Sequence, residues 1–322
     1  MVDFLITPAS GTAAISDSSG VSTTPGANKL WASGTNLYWG TTQVDGGGGG
    51  ASSINDLSDA LVENNSIWLG SDPSSTDTAS KNTAVGIEAL DIITTADENT
   101  AIGYQAGDAI TTGGDNTAVG AAALSTIADG VGNTAVGREA MRDIAAGGNY
   151  NTGIGTGVFG YGGGTQVGNV GAGWGAGYYP SGNYNVFMGF KAGYGDSSTK
   201  SAHNNVGIGS EALFSITSGD RQVAVGYQAG YSQTTGDDGE VYIGYKAGRA
   251  DYGNNRNIAI CSEALISNTT GSNNIAIGYK ALEDQVDAVH NIAIGREAGK
   301  NLTKTQNVAI GAFAMTGAVA QY

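Results

Sequence analysis

Five glutamates recur at one spacing in this chain: Glu88, Glu139, Glu211, Glu263 and Glu297, each two residues after a glycine or the cysteine that replaces it. Carboxylates are the acids and bases of polysaccharide hydrolysis, but that chemistry needs one dissimilar pair across a scissile bond. A carboxylate repeated at one position is instead a solvated ladder along the outside of a periodic structure, so no catalytic pair and no enzyme activity are expected. The segment Gly155-Thr156-Gly157-Val158-Phe159-Gly160 matches G-x-G-x-x-G. No helical pattern follows it, and a dinucleotide site needs one to receive the pyrophosphate, so no cofactor is expected. His203 and His290 lack a carboxylate or cysteine at ligand spacing and are expected as solvated loop residues. Asp237-Asp238 has the charge of a calcium loop without its pattern, so no metal is expected. Cys261 is the only cysteine, which excludes an intrachain disulfide and predicts a small buried thiol.

Aromatic residues are better placed for binding. The residue after the recurring glycine is Tyr104, Trp174, Phe190, Tyr227, Tyr245 or Tyr279 in six cases, and the stretch from Gly147 to Gly195 is densest in rings. Tyr161, Trp174, Tyr178, Tyr179, Tyr184 and Tyr194 are the candidate receptor-binding residues, because exposed ring faces stack on sugars. The competing role for the same rings is to cover an outer wall or to fill the centre of an oligomer.

Whatever positions these residues must repeat as they do. One glycine per unit anchors the register: Gly86, Gly103, Gly120, Gly137, Gly155, Gly173, Gly189, Gly209, Gly226 and Gly244, then Cys261 in the same slot, then Gly278, Gly295 and Gly311. Spacings run from 16 to 20 residues, and seven of thirteen are 17. Four residues before the anchor stands an asparagine (Asn82, Asn99, Asn116, Asn133, Asn151, Asn169, Asn185, Asn205, Asn257, Asn274, Asn291 or Asn307), and only Gln222 and Glu240 break that column. Alanine follows three residues after the anchor in every unit but the one with Val158. The unit N-[TVI]-A-[VI]-G-x-x-A is too short for a helix-containing repeat. It predicts an all-β parallel solenoid of about fourteen coils, each with two strands of about five residues, stacking to about 65 Å.

Strand side chains alternate, so the β-branched columns three and one before the anchor share a face expected to be buried. The other face carries mostly alanine and glycine, and either the opposite wall of the coil or another chain must approach it closely. A thin coil has little interior of its own, so the small-residue face is expected to be covered by packing of three chains. The asparagines are expected to form a stacked amide ladder, and glycine four after the anchor to permit a turn with positive φ. The column Thr83, Thr100, Thr117, Thr134 and Thr152 would suit ice binding, but its change to Val and Ile in later coils suggests an inward face.

Residues 1–80 lack this unit and hold Trp31, Trp39 and Trp68. Residues 1–45 are read as short strands, with Lys29 to Gly40 forming two around a Ser-Gly turn, and 46–52 as a glycine-rich linker. Residues 53–80 are read as a short helix and connector, with Ser53 and Asp56 as a capping pair and Ile54, Leu57 and Leu61 on one face. The repeat occupies 81–322. A net charge of −15 argues against nucleic acid and anionic membrane as partners, and 54 glycines beside 4 prolines exclude collagen. No apolar run is long enough to span a bilayer, and the first residues lack a signal-peptide pattern, so synthesis in a cytoplasm is expected.

The N-[TVI]-A-[VI]-G-x-x-A unit resembles the β-roll repeats in the heads of trimeric autotransporter adhesins. It is closer still to repeat arrays of bacteriophage fibre proteins, and Ile54 to Gly70 followed by Asn82-Thr83-Ala84-Val85-Gly86 is similar to an arrangement in cyanophage virion proteins. The resemblance covers residues 51–322. It implies a left-handed β-roll and a homotrimer, and with them the expectation of a virion fibre that attaches to another virion protein through the N-terminal region, but it is specific to no receptor; contact with a host surface glycan is expected from the exposed aromatic residues. The chain departs from those families in ending eleven residues after Gly311 without a membrane anchor or self-cleaving chaperone domain, which would leave an open solenoid edge.

Overall fold

A computed structural model describes residues 78–161, 163–179, 182–195, 201–234, 239–252 and 256–316, the segment 65–70, and the backbone of six strands nearer the N-terminus. The chain divides into two compact units, Met1–Val62 and Glu63–Tyr322.

In the first unit β1 (Leu5–Ala9) pairs antiparallel with β2 (Thr12–Ser16). A three-stranded antiparallel sheet joins β3 (Leu30–Ser33), β4 (Asn36–Trp39) and β5 (Thr42–Gln43). The register Leu30↔Trp39 and Ser33↔Asn36 is the hairpin that the Ser-Gly turn predicts. Leu61, placed on a helix by its spacing, instead lies in the strand β6 (Ala60–Glu63). Ser53, Asp56 and the glycine-rich linker lie outside the described residues.

The second unit is a parallel β-solenoid. Its strands are β7 (Ser66–Leu69), β8 (Thr83–Val85), β9 (Thr100–Ile102), β10 (Thr117–Val119), β11 (Thr134–Val136), β12 (Thr152–Ile154), β13 (Val170–Ala172) and β14 (Val186–Met188). They continue through β15 (Val206–Ile208), β16 (Val223–Val225), β17 (Val241–Ile243), β18 (Ile258–Ile260), β19 (Ile275–Ile277), β20 (Ile292–Ile294) and β21 (Val308–Ile310). Each strand pairs with the next in the register of the repeat, as in Thr83↔Thr100, Ala84↔Ala101 and Val85↔Ile102. The first rung lies outside the 81–322 span read from the repeat. Ser66-Ile67-Trp68-Leu69-Gly70 takes the anchor register although serine stands for asparagine and tryptophan for alanine. Trp68 is fully buried against the alanine column, where it begins the interior.

Each coil has one strand, of four residues in β7 and three in β8 to β21, rather than two of five. The remainder is a stack of turns bonded coil to coil, as in Gln105 N–H to Ile87 O at 3.0 Å and Leu90 N–H to Ala106 O at 3.1 Å. The turns use the left-handed region at fixed positions, two and four after the anchor and five before it: Glu88 has φ 59°, Leu90 52° and Glu98 62°. Leucine, methionine and phenylalanine adopt that conformation four after the anchor as readily as glycine does, so φ does not choose the residue there. Volume does. A Cβ on Gly248 would collide with the ring of Tyr242, and a Cβ on Gly193 with the ring of Phe187. Glycine stands where an aromatic residue, or a leucine of the adjacent coil, already fills the core.

The direction of the two strand faces reverses the expectation. The alanine column two before the anchor is 0–1% exposed, as at Ala84, Ala101, Ala118 and Ala135, and it faces the interior with the asparagines. The β-branched columns face outward and are half-buried or exposed. The opposite wall of the same coil is what approaches the small face, so one chain keeps it dry without a second copy. The threonine column is likewise outward. Cys261, expected as a buried thiol, is exposed with φ 97°. An L-residue held there costs roughly 1–2 kcal/mol. Cys261→Gly is therefore expected to raise the unfolding free energy by about that amount. A denaturant midpoint at or below that of the parent would contradict this.

Candidate functional site

The aromatic residues of the mid-section gather because the turns stack in register. Two files of side chains run along the solenoid, one residue and five residues after the anchor. In the first, Trp174 and Phe190 stack with centroids 5.3 Å apart and planes at 19°, and Tyr227 and Tyr245 at 5.5 Å and 18°. The second file contains Tyr178, Tyr194, Phe214 and Tyr231, with successive centroids 5.1, 5.4 and 4.9 Å apart and planes within 4° of parallel. Tyr161 continues it at 4.8 Å from Tyr178, tilted by 50°. Arg142 lies over Tyr161 at 4.1 Å, and Arg249 over Tyr231 at 5.4 Å, so a guanidinium closes each end.

Lys191, two after its anchor, lies between the files. Its Nζ stands 5.4 Å from Trp174, 5.4 Å from Phe190, 5.1 Å from Tyr194 and 5.9 Å from Phe214. Tyr179 meets Tyr178 and Tyr194 edge-on at 4.8 and 5.4 Å. Five of the six candidate residues, Tyr161, Trp174, Tyr178, Tyr179 and Tyr194, therefore share one surface. Tyr184 does not. It sits five before its anchor with φ 61°, its ring beside Gly168, and makes no ring contact with the others among the described residues. Phe214 and Tyr231 belong to the site but escape the reading of the sequence, because they lie beyond the dense stretch and loop lengths vary between coils.

Burial is the main cause that raises the pKa of Tyr178, Tyr194 and Tyr231, with Tyr161, Tyr179 and Glu211 respectively adding to it, so these phenols are neutral donors at physiological pH. The Asp143 carboxylate, in an ion pair of 2.9 Å, raises the pKa of Arg142.

The asparagines form the second constellation, inside the solenoid. From Asn99 to Asn205 each backbone N–H donates to the Oδ1 of the asparagine one coil earlier at 2.9–3.0 Å. Each Nδ2 donates to the same Oδ1 at 3.0–3.2 Å, and again to a carbonyl in its own coil, as Asn116 does to Gly130 O at 2.7 Å. Ser66 Oγ accepts from Asn82 N–H at 2.8 Å in the first rung. Asn274, Asn291 and Asn307 resume the series, each N–H donating to the preceding Oδ1, beginning with that of Asn257. Where Gln222 and Glu240 interrupt the column the interior turns polar. Tyr242 OH and Asn257 Nδ2 both donate to Asp251 Oδ2, at 2.7 and 2.8 Å. Burial, with Asp251 alongside, holds the Tyr242 phenol well above its ordinary pKa.

The remaining groups lie as follows. The recurring glutamates bond to neighbours, Glu88 and Glu211 with Gln105 and Gln228 at 2.7 Å, Glu139 and Glu297 with Arg138 and Arg296, and Glu263 with Lys280 at 3.4 Å. Val158 and Phe159 of the G-x-G-x-x-G match are buried core residues of a turn. His203 is not simply solvated. Its Nδ1 accepts from Asn183 N–H at 3.0 Å, its Nε2 lies 2.6 Å from Ser201 Oγ, and its N–H donates to Asp220 at 2.6 Å. His290 is exposed, and Asp237 and Asp238 lie outside the described residues. No three potential metal ligands cluster among the described residues, and none of their helices is long and apolar enough to cross a membrane. No family model matches the chain, and no curated protein or solved structure is significantly similar to it.

Proposed function

We propose that this chain is a structural fibre and adhesin of a phage virion, in which three copies pack side by side and the solenoid projects towards the host surface. The outward β-branched face carries the assembly part of this reading. Two ranks made mostly of Thr, Val and Ile, with Leu69, Ala172 and Met188 in one of them, line it from one end of the solenoid to the other, including Ile102, Ile154, Ile208 and Ile243 at 38–50% exposed. A strip three residues wide and about 65 Å long covers about 650 Å² per chain, close to the share of each partner in a stable interface. Long exposed apolar strips mark association surfaces. Attribution to a virion, and attachment through residues 1–45, rest on the resemblance of the repeat to fibre arrays.

Light scattering is expected to return three times the 32.3 kDa of one chain. The double variant Ile208→Lys, Ile243→Lys is expected to return one chain mass with unchanged circular dichroism, since both side chains point out of the fold. A parent mass of one chain would overturn the trimer. Electron microscopy of labelled particles tests the virion assignment.

The threonine column favours a second reading, ice binding, because it is outward and in register. Its replacement by Val and Ile from Val170 onward favours self-packing, which needs apolar character over every rung. A polysaccharide-degrading spike would need a close carboxylate pair, whereas the recurring glutamates stand two or more coils apart and bond to Gln, Arg or Lys neighbours.

A further inference from the structure

We propose that the aromatic face around Lys191 binds an extended anionic polysaccharide, aligned with the solenoid axis, whose acidic groups meet Lys191 and whose sugar rings lie on the two files. The inference rests on the adhesive part of the proposed function and is independent of how many chains assemble.

The rings of the second file are stacked with a lateral offset. Parallel rings with centroids 4.9–5.4 Å apart must be offset to remain in van der Waals contact, so each overlaps its neighbour like a shingle and leaves part of one face uncovered. The repeat of these faces is close to the length of one pyranose residue in an extended 1,4-linked polysaccharide. A repeating ligand therefore meets an equivalent ring at each step.

Charge selects the class. The chain as a whole carries −15. Along the coils anchored from Gly137 to Gly244, the positions one, two, five and six after the anchor hold five basic residues, Arg138, Arg142, Lys191, Lys246 and Arg249, against Glu139, Asp143 and Glu211. This face is thus net positive by two on an otherwise acidic molecule. Arg142 is committed to Asp143 and Glu139, and Arg249 bonds to Gln228. Lys191 forms no ion pair among the described residues and stands amid four rings, where a carboxylate or sulfate would meet a partly desolvated ammonium.

Binding of the full-length protein to a polyuronate, a sulfated dextran, a neutral dextran and poly-dT is measured by titration calorimetry. At least one acidic polysaccharide is expected to bind, and the preference between polyuronate and sulfated dextran identifies the acidic group. Lys191→Glu and Trp174→Ala are each expected to weaken it by about tenfold or more. Thermal melts of both variants establish that they fold. Tyr184→Ala, which lies off this face, is expected to bind as the parent does. The proposal fails if neither acidic polysaccharide binds, if neutral dextran or poly-dT binds as tightly, or if Trp174→Ala binds normally, which would leave simple ion exchange. Light scattering on the same samples separates these outcomes from failure of the trimer.

Discussion

Asn133→Ala is expected to lose roughly 2–6 kcal/mol of unfolding free energy in urea, from leaving two buried polar groups unpaired at about 1–3 kcal/mol each. Asn133 is fully buried. Its Oδ1 accepts from the N–H and the Nδ2 of Asn151, each at 3.0 Å, and its Nδ2 donates to Gly148 O at 2.9 Å. Alanine leaves the Asn151 N–H and the Gly148 carbonyl without those partners, in a space closed to water. In a solenoid each coil contacts only its neighbours, so a break in the middle also uncouples the two halves and is expected to split one unfolding transition into two. Asn307→Ala is the comparison. That residue lies in the last rung, where its Nδ2 bonds are partly or fully exposed, and its loss is expected to cost about 1 kcal/mol. Equal effects at the two positions would show that burial of the ladder is not what gives it value.

Gly226→Val is expected to be among the most damaging single changes in the repeat, costing more than about 4 kcal/mol or preventing folding. A Cβ at this residue would stand 2.5 Å from the carbonyl oxygen and 2.7 Å from the carbonyl carbon of Gly244 in the next coil. Both are backbone atoms held by the strand pairing, with Gly244 N–H bonded to Val225 O at 2.8 Å, so neither can yield without opening the ladder. The φ of 135° adds strain that a β-branched residue tolerates least. Gly311→Val separates the two causes. Its φ is 118°, but a Cβ there would meet nothing within 4 Å. That variant is expected to fold and to lose only the dihedral cost of about 1–3 kcal/mol. A Gly311→Val protein as unstable as Gly226→Val would put the cost in the dihedral and not in the contact between coils. Cys261 shows how a side chain enters this slot in the native protein: its φ falls to 97° and its thiol lies in solvent.

Much of the fold follows from the spacing of particular residues. The asparagine, alanine and glycine columns determine a parallel in-register solenoid, because identical residues at a fixed period can satisfy each other only when stacked. The hairpin of β3 and β4 follows from a Ser-Gly turn between two apolar runs. Period-two alternation also separates the β-branched columns from the alanine column. It cannot say which of the two is inside. That depends on the distance to the opposite wall, which here suits alanine and asparagine and takes Phe187 or Tyr242 only where Gly193 or Gly248 makes room, and this distance is set by turns whose left-handed residues, such as Glu88 and Leu90, carry no glycine to mark them. The same reason hides the first rung, where Trp68 and Ser66 fill the columns of alanine and asparagine by shape and hydrogen bonding rather than by identity. It hides the second aromatic file as well. Tyr178, Tyr194, Phe214 and Tyr231 are separated by 16, 20 and 17 residues in sequence and become neighbours only because loops of unequal length leave the turns in one register. The sequence by itself determined the stacking and its period. The tertiary structure decided which face is core, which face is left to partners, and where Lys191 meets the rings, since each depends on a distance across or between coils that no local pattern encodes.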